Sequence, residues 1–120
     1  MRWLFKSEPT DYSFADLERD GSTEWTGVKN PLAARHLASV KKGDAVLFYH
    51  TGNEKAIVGI AKALGRNRIA PVRRLERPVA LAAIRRDPAF RTFDLVRNSR
   101  LSVMPVSDDH WKRIGKMSPS

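Results

Sequence analysis

The stretch AVLFYHTGNEKAIVGIAKAL, residues 45–64, decides the predicted fold. Its first part, AVLFYH, is a short apolar run typical of a strand, and the continuous AVLF predicts that this strand is buried on both faces. The next five residues, TGNEK, favour a turn, and AIVGIAKAL predicts the returning strand. Residues 45–64 therefore predict a β-hairpin whose first strand lies in the core.

Shorter elements flank this hairpin on both sides. Apolar runs predict three further strands, at residues 2–6, 70–76 and 100–106. Capping residues and apolar spacing predict four short helices, at residues 13–20, 30–40, 79–87 and 108–117. About five strands among four helices, without regular alternation, predict the α+β class with a small mixed sheet. The same pattern argues against a doubly wound parallel sheet.

Two of the helix ends carry specific signals. Ser13, followed three residues later by Asp16, predicts a capping box, and Gly21 predicts where that helix ends. Asn30 before Pro31 predicts an N-cap followed by a proline in the first turn. These residues define the helix boundaries more closely than the apolar spacing does.

Length and composition exclude several classes of protein. A chain of 120 residues predicts a single domain, 1–120, and the absence of cysteine excludes a disulfide framework and a thiolate metal site. The longest apolar run, VALAAI at 79–84, is too short to cross a bilayer. The apolar stretch in the N-terminal MRWLFKSEP is too short for a secretory signal. We therefore expect a cytoplasmic protein, most simply a monomer, that does not contact a membrane.

Positive charge is concentrated in one part of the chain. The net charge is +9, yet residues 1–61 hold eight Lys or Arg against eight Asp or Glu. Residues 62–100 hold eleven Lys or Arg against three acids, and ten of the eleven are arginine. Arginine pairs bidentately with phosphate and stacks on bases. The imbalance predicts a nucleic-acid partner, and a well-solvated basic face is the alternative.

Signals for catalysis are weak. The three histidines, His36, His50 and His110, are far apart and show no metal-ligand spacing. The sequence has no glycine-rich phosphate loop and no nucleophile elbow. The adjacent Asp108 and Asp109 are explained by the helix that they begin. The sequence therefore predicts a protein without metal, cofactor or enzymatic activity.

Polar residues adjoin aromatic residues in four stretches: WLFKSEP, EWTGVKN, LFYHTGN and RLSVMP. Trp25, in the second stretch, has two interpretations, since its ring either fills the core or forms the wall of a ligand site. A flat heterocycle needs an aromatic surface for stacking and fixed polar groups for its edge. Trp25 is the candidate for stacking. The candidates for the edge are Ser7, Asn30, Tyr49, His50 and Ser102.

These stretches, together with KGDAVLFYH at 42–50 and GIA at 59–61, resemble the EVE domain family in order and spacing. The resemblance implies a PUA-like fold, in which a strongly bent mixed sheet forms a pseudo-barrel surrounded by helices. It also implies kinship with YTH and ASCH domains. Relatives of this kind take an extruded base into an aromatic-lined pocket, and the EVE family is thought to recognise modified bases in DNA or RNA.

The resemblance also implies roles for particular residues. Trp25 would be a pocket wall, and Lys6 and Ser7 would lie at the pocket floor or mouth. Asn30 would hydrogen-bond the base or a phosphate, and Lys29 stands where the family more often has arginine. The rest of the pocket would be lined by Tyr49, His50 and Ser102. From the arginine-rich segment, the candidates for phosphate contacts are Arg73, Arg74 and Arg100.

The middle of the chain departs from the family pattern. Only KALGRNRIAPVRRLE, residues 62–76, joins GIA to the following RPV, where family members usually carry a longer segment. One interpretation is the loss of a strand and a loop. The other is that residues near Asn67–Ile69 are missing from the chain, in which case the net charge of +9 is inflated.

The leading hypothesis is a non-enzymatic module that binds nucleic acid and takes a base, in particular a modified one, into a pocket walled by Trp25. The runner-up is a small enzyme acting on a nucleotide or modified base with His50 as acid–base, for which the sequence shows no partner. A third interpretation is a protein-interaction module whose basic segment docks an acidic partner. The sequence does not distinguish DNA from RNA.

Overall fold

The computed structural model describes residues 1–118. Its strands are β1 (Arg2–Ser7), β2 (Thr23–Glu24), β3 (Ala45–His50), β4 (Ala56–Gly65), β5 (Arg68–Ala80) and β6 (Val103–Pro105). Its α-helices are α1 (Phe14–Asp20), α2 (Pro31–Ser39), α3 (Leu81–Arg86), α4 (Asp94–Arg97) and α5 (Asp108–Met117), and a 3-10 helix spans Pro88–Phe90. Within residues 1–118, no helix has the length and apolar character that crossing a membrane requires.

The six strands form one mixed sheet in the order β2-β5-β4-β3-β1-β6. The pair β1–β3 is parallel and the other pairs are antiparallel. The predicted hairpin is confirmed as β3 and β4, and residues 46–50 of β3 are all buried. The α+β prediction with a small bent sheet is confirmed. The sheet has one strand more than predicted. The additional strand, β2, pairs with β5, and its two residues are too few to show a periodic pattern in the sequence.

Irregular pairing between β4 and β5 curls the sheet. Ile57 lies opposite Val79, but Gly59 lies opposite Arg74, so residues 75–78 of β5 bulge out of the ladder. Bulges of this kind bend a strand and increase its twist. The predicted start of the helix at residues 79–87 is therefore wrong. Val79 is 3% exposed and pairs in the sheet, and helix α3 begins only at Leu81.

Helix α1 covers one face of the sheet at Gly59. A methyl group added to this glycine would lie 2.6 Å from atoms of the Phe14 ring. Phe14 also meets Phe48 edge-on, with ring centroids 5.4 Å apart. Glycine inside a strand often marks such a close approach. The predicted capping box of α1 is confirmed, since the Ser13 and Asp16 side chains each accept a hydrogen bond from the other residue's backbone N–H.

The segment that is short for the family forms a tight hairpin. Arg66 and Asn67 are the two turn residues between β4 and β5, and both are left-handed, with φ of 55° and 61°. Two-residue hairpin turns with two positive φ angles match the twist of the flanking strands. Residues 62–76 are therefore continuous within one hairpin, and no additional strand lies between β4 and β5.

Candidate functional site

Trp25 borders a surface depression of about 410 Å³, which we call the Trp25 depression. It lies where the end of β1, the loop after it, β2 and the loop after β2 meet. Four of the eight predicted ligand residues line it: Lys6, Ser7, Trp25 and Ser102. The sheet brings them together, because the Lys6 N–H donates to the carbonyl oxygen of Ser102 at 2.9 Å, next to Ser7.

The position of Trp25 agrees in part with each of its two interpretations, a core residue and the wall of a ligand site. The side chain is 9% exposed, and its ring packs against Phe5 and Phe48, with centroids 5.2 and 5.6 Å away. Its backbone N–H donates to the carbonyl oxygen of Asn67 at 2.6 Å, which extends the β2–β5 pairing by one bond. Most of the ring therefore belongs to the core, and its remaining edge borders the depression.

The exposed part of Trp25 includes a hydrogen-bond donor. No residue within 1–118 accepts a hydrogen bond from its indole Nε1. No buried side-chain nitrogen or oxygen in the described chain lacks a partner, so Nε1 is not fully buried. An indole N–H normally finds an acceptor when it is enclosed. This donor is therefore in partial contact with solvent, and Trp25 is one of the residues that line the depression.

The rim of the Trp25 depression is rich in acceptors, which the sequence analysis missed. Glu8, Asp11 and Glu24 all line it. The Glu8 carboxylate accepts hydrogen bonds from Thr51 and Thr10, whereas Asp11 and Glu24 are exposed and have no ion-pair partner in the part of the chain described. The acids sit in loops without periodicity, and only their proximity to the two motifs could have indicated them.

Lys6 separates the Trp25 depression from a second one of about 240 Å³, which we call the Lys6–Arg85 depression. Its Nζ donates to the carbonyl oxygen of Ser99 at 3.0 Å and lies 5.9 Å from the centroid of the Tyr49 ring. Burial lowers the pKa of Lys6, and the nearby charge of Arg85 lowers it further. Tyr49, another predicted ligand residue, lines this second depression.

His50 is engaged on both ring nitrogens. It is 6% exposed, its Nε2 accepts the backbone N–H of Phe14 at 3.0 Å, and its Nδ1 lies 3.0 Å from a carboxylate oxygen of Glu54. Glu54 is a partner that the sequence analysis did not find, because it belongs to the turn after β3. The imidazole joins α1 to the sheet, and both of its nitrogens already have protein partners.

The other predicted residues lie outside both depressions. The Asn30 side chain caps α2 by accepting the N–H of Ala33 at 3.0 Å, and Lys29 precedes it on an exposed loop. Arg74 pairs with Glu18 and lies over the ring of Phe14. The remaining phosphate candidates, Arg73 and Arg100, are exposed on the surface.

A larger depression of about 840 Å³ contains none of the predicted residues. It lies beside α5, and two of its polar side chains already have partners. Arg113 pairs with Asp87, and His110 Nε2 lies 2.8 Å from the carbonyl oxygen of Ala89. In the described residues, no group of three or more His, Cys, Asp or Glu side chains is placed to hold a metal ion. Five of the eight predicted ligand residues line the two smaller depressions instead.

Comparison with known proteins identifies the family. The family model of the EVE domain matches residues 1–67 and 63–117. The chain belongs to the EVE domain family. The two matches meet at residues 63–67, which include the Arg66–Asn67 turn. The overlap of the two matches to this EVE domain thus lies at the tip of the β4–β5 hairpin.

Relatives of this EVE domain include proteins from several kingdoms. It is 38% identical over 72 residues to thymocyte nuclear protein 1 of Gallus gallus, a match that covers 50% of this chain and 30% of the chicken protein. A solved protein from Agrobacterium tumefaciens is 30% identical with a TM-score of 0.94, covering 98% of this chain and 92% of that one.

Two more distant structures share the fold. Human THYN1, solved in complex with DNA containing 5-methylcytosine, is 22% identical with a TM-score of 0.90, covering 99% of this chain and 98% of that one. An ASCH protein from Zymomonas mobilis is 10% identical with a TM-score of 0.60, covering 99% of this chain and 96% of that one. The PUA-like fold predicted from the resemblance is confirmed, and the ASCH protein shares this fold.

Proposed function

We propose that this EVE domain is a non-enzymatic module that binds nucleic acid and takes one unstacked base into the Trp25 depression. The observation that carries the proposal is that Trp25, whose indole N–H has no protein acceptor within residues 1–118 and is not fully buried, lines a depression of about 410 Å³. Support also comes from human THYN1, which shares the fold and was solved with DNA containing 5-methylcytosine.

Trp25 would contribute mainly through its edge. With 9% of the side chain exposed, the indole offers its N–H and part of its ring rather than a whole face. A hydrogen bond from this N–H to a base carbonyl, combined with partial stacking, would offset the few kcal/mol that unstacking a base requires. A ligand that left the donor unpaired would bind less well.

The acidic rim favours bases that present an amino group. Cytosine offers its N4 amino group as a donor, whereas thymine offers the O4 carbonyl, an acceptor. The carboxylate oxygens of Asp11 and Glu24 would accept a hydrogen bond from the cytosine amino group and would repel the thymine O4. The comparison of 5-methylcytosine with thymine isolates this effect, because both bases carry the same methyl group and differ at position 4.

The test uses one short single-stranded oligonucleotide in three forms, with cytosine, 5-methylcytosine or thymine at one central position. Binding is measured by fluorescence anisotropy at fixed ionic strength for the wild type, Trp25→Phe and Trp111→Phe. We expect 5-methylcytosine to bind about tenfold more tightly than thymine, since a specific edge contact gives roughly 1–3 kcal/mol of discrimination. A preference for 5-methylcytosine over cytosine would identify the methyl group as part of the ligand.

The two tryptophan variants separate the site from the surface. Trp25→Phe keeps an aromatic ring and removes the N–H, and it should weaken the binding of all three oligonucleotides, because each base offers a carbonyl to this donor. Trp111→Phe is the control, because Trp111 borders neither depression and lies on α5 beside Arg2. Equal affinity of the wild type for all three oligonucleotides would contradict the proposal and leave only a basic surface.

A further inference from the structure

The Lys6–Arg85 depression is bordered by three cations and lacks an anion. Lys6, Lys55 and Arg85 line it, and none of them forms an ion pair with a carboxylate of residues 1–118. They come from three separate elements: β1, the turn before β4, and α3. A basic face that is merely solvated does not require three cations from separate elements to meet at one depression.

An unpaired donor lies among these cations. Tyr49 is 3% exposed and lines the Lys6–Arg85 depression. No hydrogen bond joins its hydroxyl to any residue of the described chain, yet the hydroxyl is not among fully buried atoms that lack a partner. The hydroxyl is therefore not fully buried, and Tyr49 is one of the residues that line this depression. A buried tyrosine whose hydroxyl has no protein partner points to a ligand or solvent acceptor there.

The nearby carboxylates are already engaged with other groups. Glu8 lies against the turn at Gly52, and its Oε2 accepts from the Thr51 hydroxyl at 3.0 Å. Glu54 pairs with His50. The lowered pKa of Lys6, caused by burial and then by Arg85, is consistent with crowded cations. An anion among them would relieve that repulsion.

We infer that the Lys6–Arg85 depression is a phosphate-binding site, in which Arg85 and Lys55 supply charge and the Tyr49 hydroxyl supplies a neutral donor. The assignment of this phosphate to the nucleotide whose base enters the Trp25 depression rests on the proposed function, whereas phosphate binding itself does not. Lys6 borders both depressions, so a base and its own or an adjacent phosphate could occupy them together.

The first test uses inorganic phosphate as the probe. Phosphate is titrated at constant ionic strength against chloride, and the amide signal of Gly52, which lines the depression, is followed by NMR. We expect a saturable shift in the wild type. Arg85→Gln should weaken phosphate binding about tenfold, since hydrogen bonds to charged groups are the strong ones. Tyr49→Phe, which removes only the hydroxyl, should weaken it by a factor of about three to ten.

Arg86→Gln is the matched control. Arg86 follows Arg85 on α3, is exposed, carries the same charge and does not line the depression. The substitution Arg86→Gln should change the phosphate affinity less than twofold. Equal weakening in Arg85→Gln and Arg86→Gln would overturn the site, because general charge and not position would then govern binding. A Gly52 signal that never saturates would do the same.

The second test separates free phosphate from nucleic acid as the source. A nucleoside, its 5′-monophosphate and a short oligonucleotide are compared in the wild type and in Arg85→Gln. We expect the phosphate-bearing ligands to bind more tightly than the nucleoside, and Arg85→Gln to remove that gain. If inorganic phosphate alone responds to Arg85→Gln, the assignment to a nucleotide is overturned. The base preference of the wild type and the effect of Trp25→Phe are measured independently, so each proposal can fail alone.

Discussion

The backbone N–H of Trp25 donates to the carbonyl oxygen of Asn67 at 2.6 Å, and this bond ties the proposed base site to the tip of the β4–β5 hairpin. Asn67 is the second residue of a two-residue turn in which both φ angles are positive. The turn lies where the two family matches meet. The position of Trp25 therefore depends on the turn at which the two family matches overlap.

Two substitutions at Asn67 test this dependence. Asn67→Val should lower the free energy of unfolding by about 1–2 kcal/mol, because a β-branched residue is strained at a φ of 61°. Asn67→Gly removes the same side chain without that strain, and it should change stability by less than about 0.5 kcal/mol. Urea denaturation gives both values. Similar losses in the two variants would mean that the asparagine side chain, not the turn conformation, matters.

Gly59 and Gly115 should respond in opposite directions to alanine. At Gly59 a methyl group would meet the fully buried Phe14 ring, and we expect a loss of about 2 kcal/mol from overpacking. At Gly115, in α5, nothing lies within 4 Å, and alanine should raise stability by about 0.5–1 kcal/mol through helix propensity. Thermal or urea unfolding measures both. A neutral Gly59→Ala would show that Phe14 can move.

Trp25→Ala should destabilise the protein as well as weaken its binding of oligonucleotides. Its ring packs on Phe5 and Phe48 in the core, so truncation should lower the free energy of unfolding by about 3 kcal/mol. Trp111→Ala, from a half-buried position, should lower it by clearly less. For this reason Trp25→Phe is the variant suited to binding measurements. Equal losses from the two alanine variants would contradict the core packing described for Trp25.

Acid should weaken the anchorage of the first strand at Asp44. Burial acts to raise the pKa of Asp44, but hydrogen bonds from the Lys41 N–H, the Trp3 indole and the N-terminal ammonium outweigh it and hold the pKa below the ordinary aspartate range. A carboxylate with a lowered pKa stabilises the fold above its unfolded pKa, and that contribution disappears as the pH falls through the folded pKa.

Urea unfolding from pH 7 to pH 2 measures this effect. The stability difference between the wild type and Asp44→Asn should be largest near pH 7 and should shrink below about pH 4. Asp11→Asn is the control, since its exposed carboxylate has no hydrogen-bond partner in the described chain, and its difference should stay near zero. A difference for Asp44→Asn that does not change with pH would rule out this role of the carboxylate.

Local signals in the sequence predicted the local parts of the fold. Ser13, Asn30 and Gly21 act within one helical turn, and the predicted helix ends are observed at these residues. The β3–β4 hairpin likewise combines adjacent apolar runs. The extension of β5 to Ala80 was not predictable, because it depends on pairing with β4 across a bulge, and the sequence near Ala80 favours a helix. The 3-10 helix and α4 are too short to show periodicity.

The site was predictable only where residues lie in aromatic stretches. Trp25, Ser7 and Ser102 fall in three such stretches, and the sheet brings them to one depression. Nothing in the sequence marks Lys55 or Arg85, because each is one basic residue among many and becomes distinctive only through its position beside Tyr49. Asn30 and His50 carry polar groups that the fold uses for its own hydrogen bonds.

The position of β1 between β3 and β6 has a consequence for synthesis on the ribosome. Leu4 pairs with Leu47 on one side and lies opposite Met104 on the other, so the first strand acquires its second neighbour only when the last strand has left the exit tunnel. Until then the growing chain carries an unpaired apolar strand edge, which is prone to association with other chains. A chain that stalls before Val103 would therefore be a substrate for chaperones rather than a partly working domain.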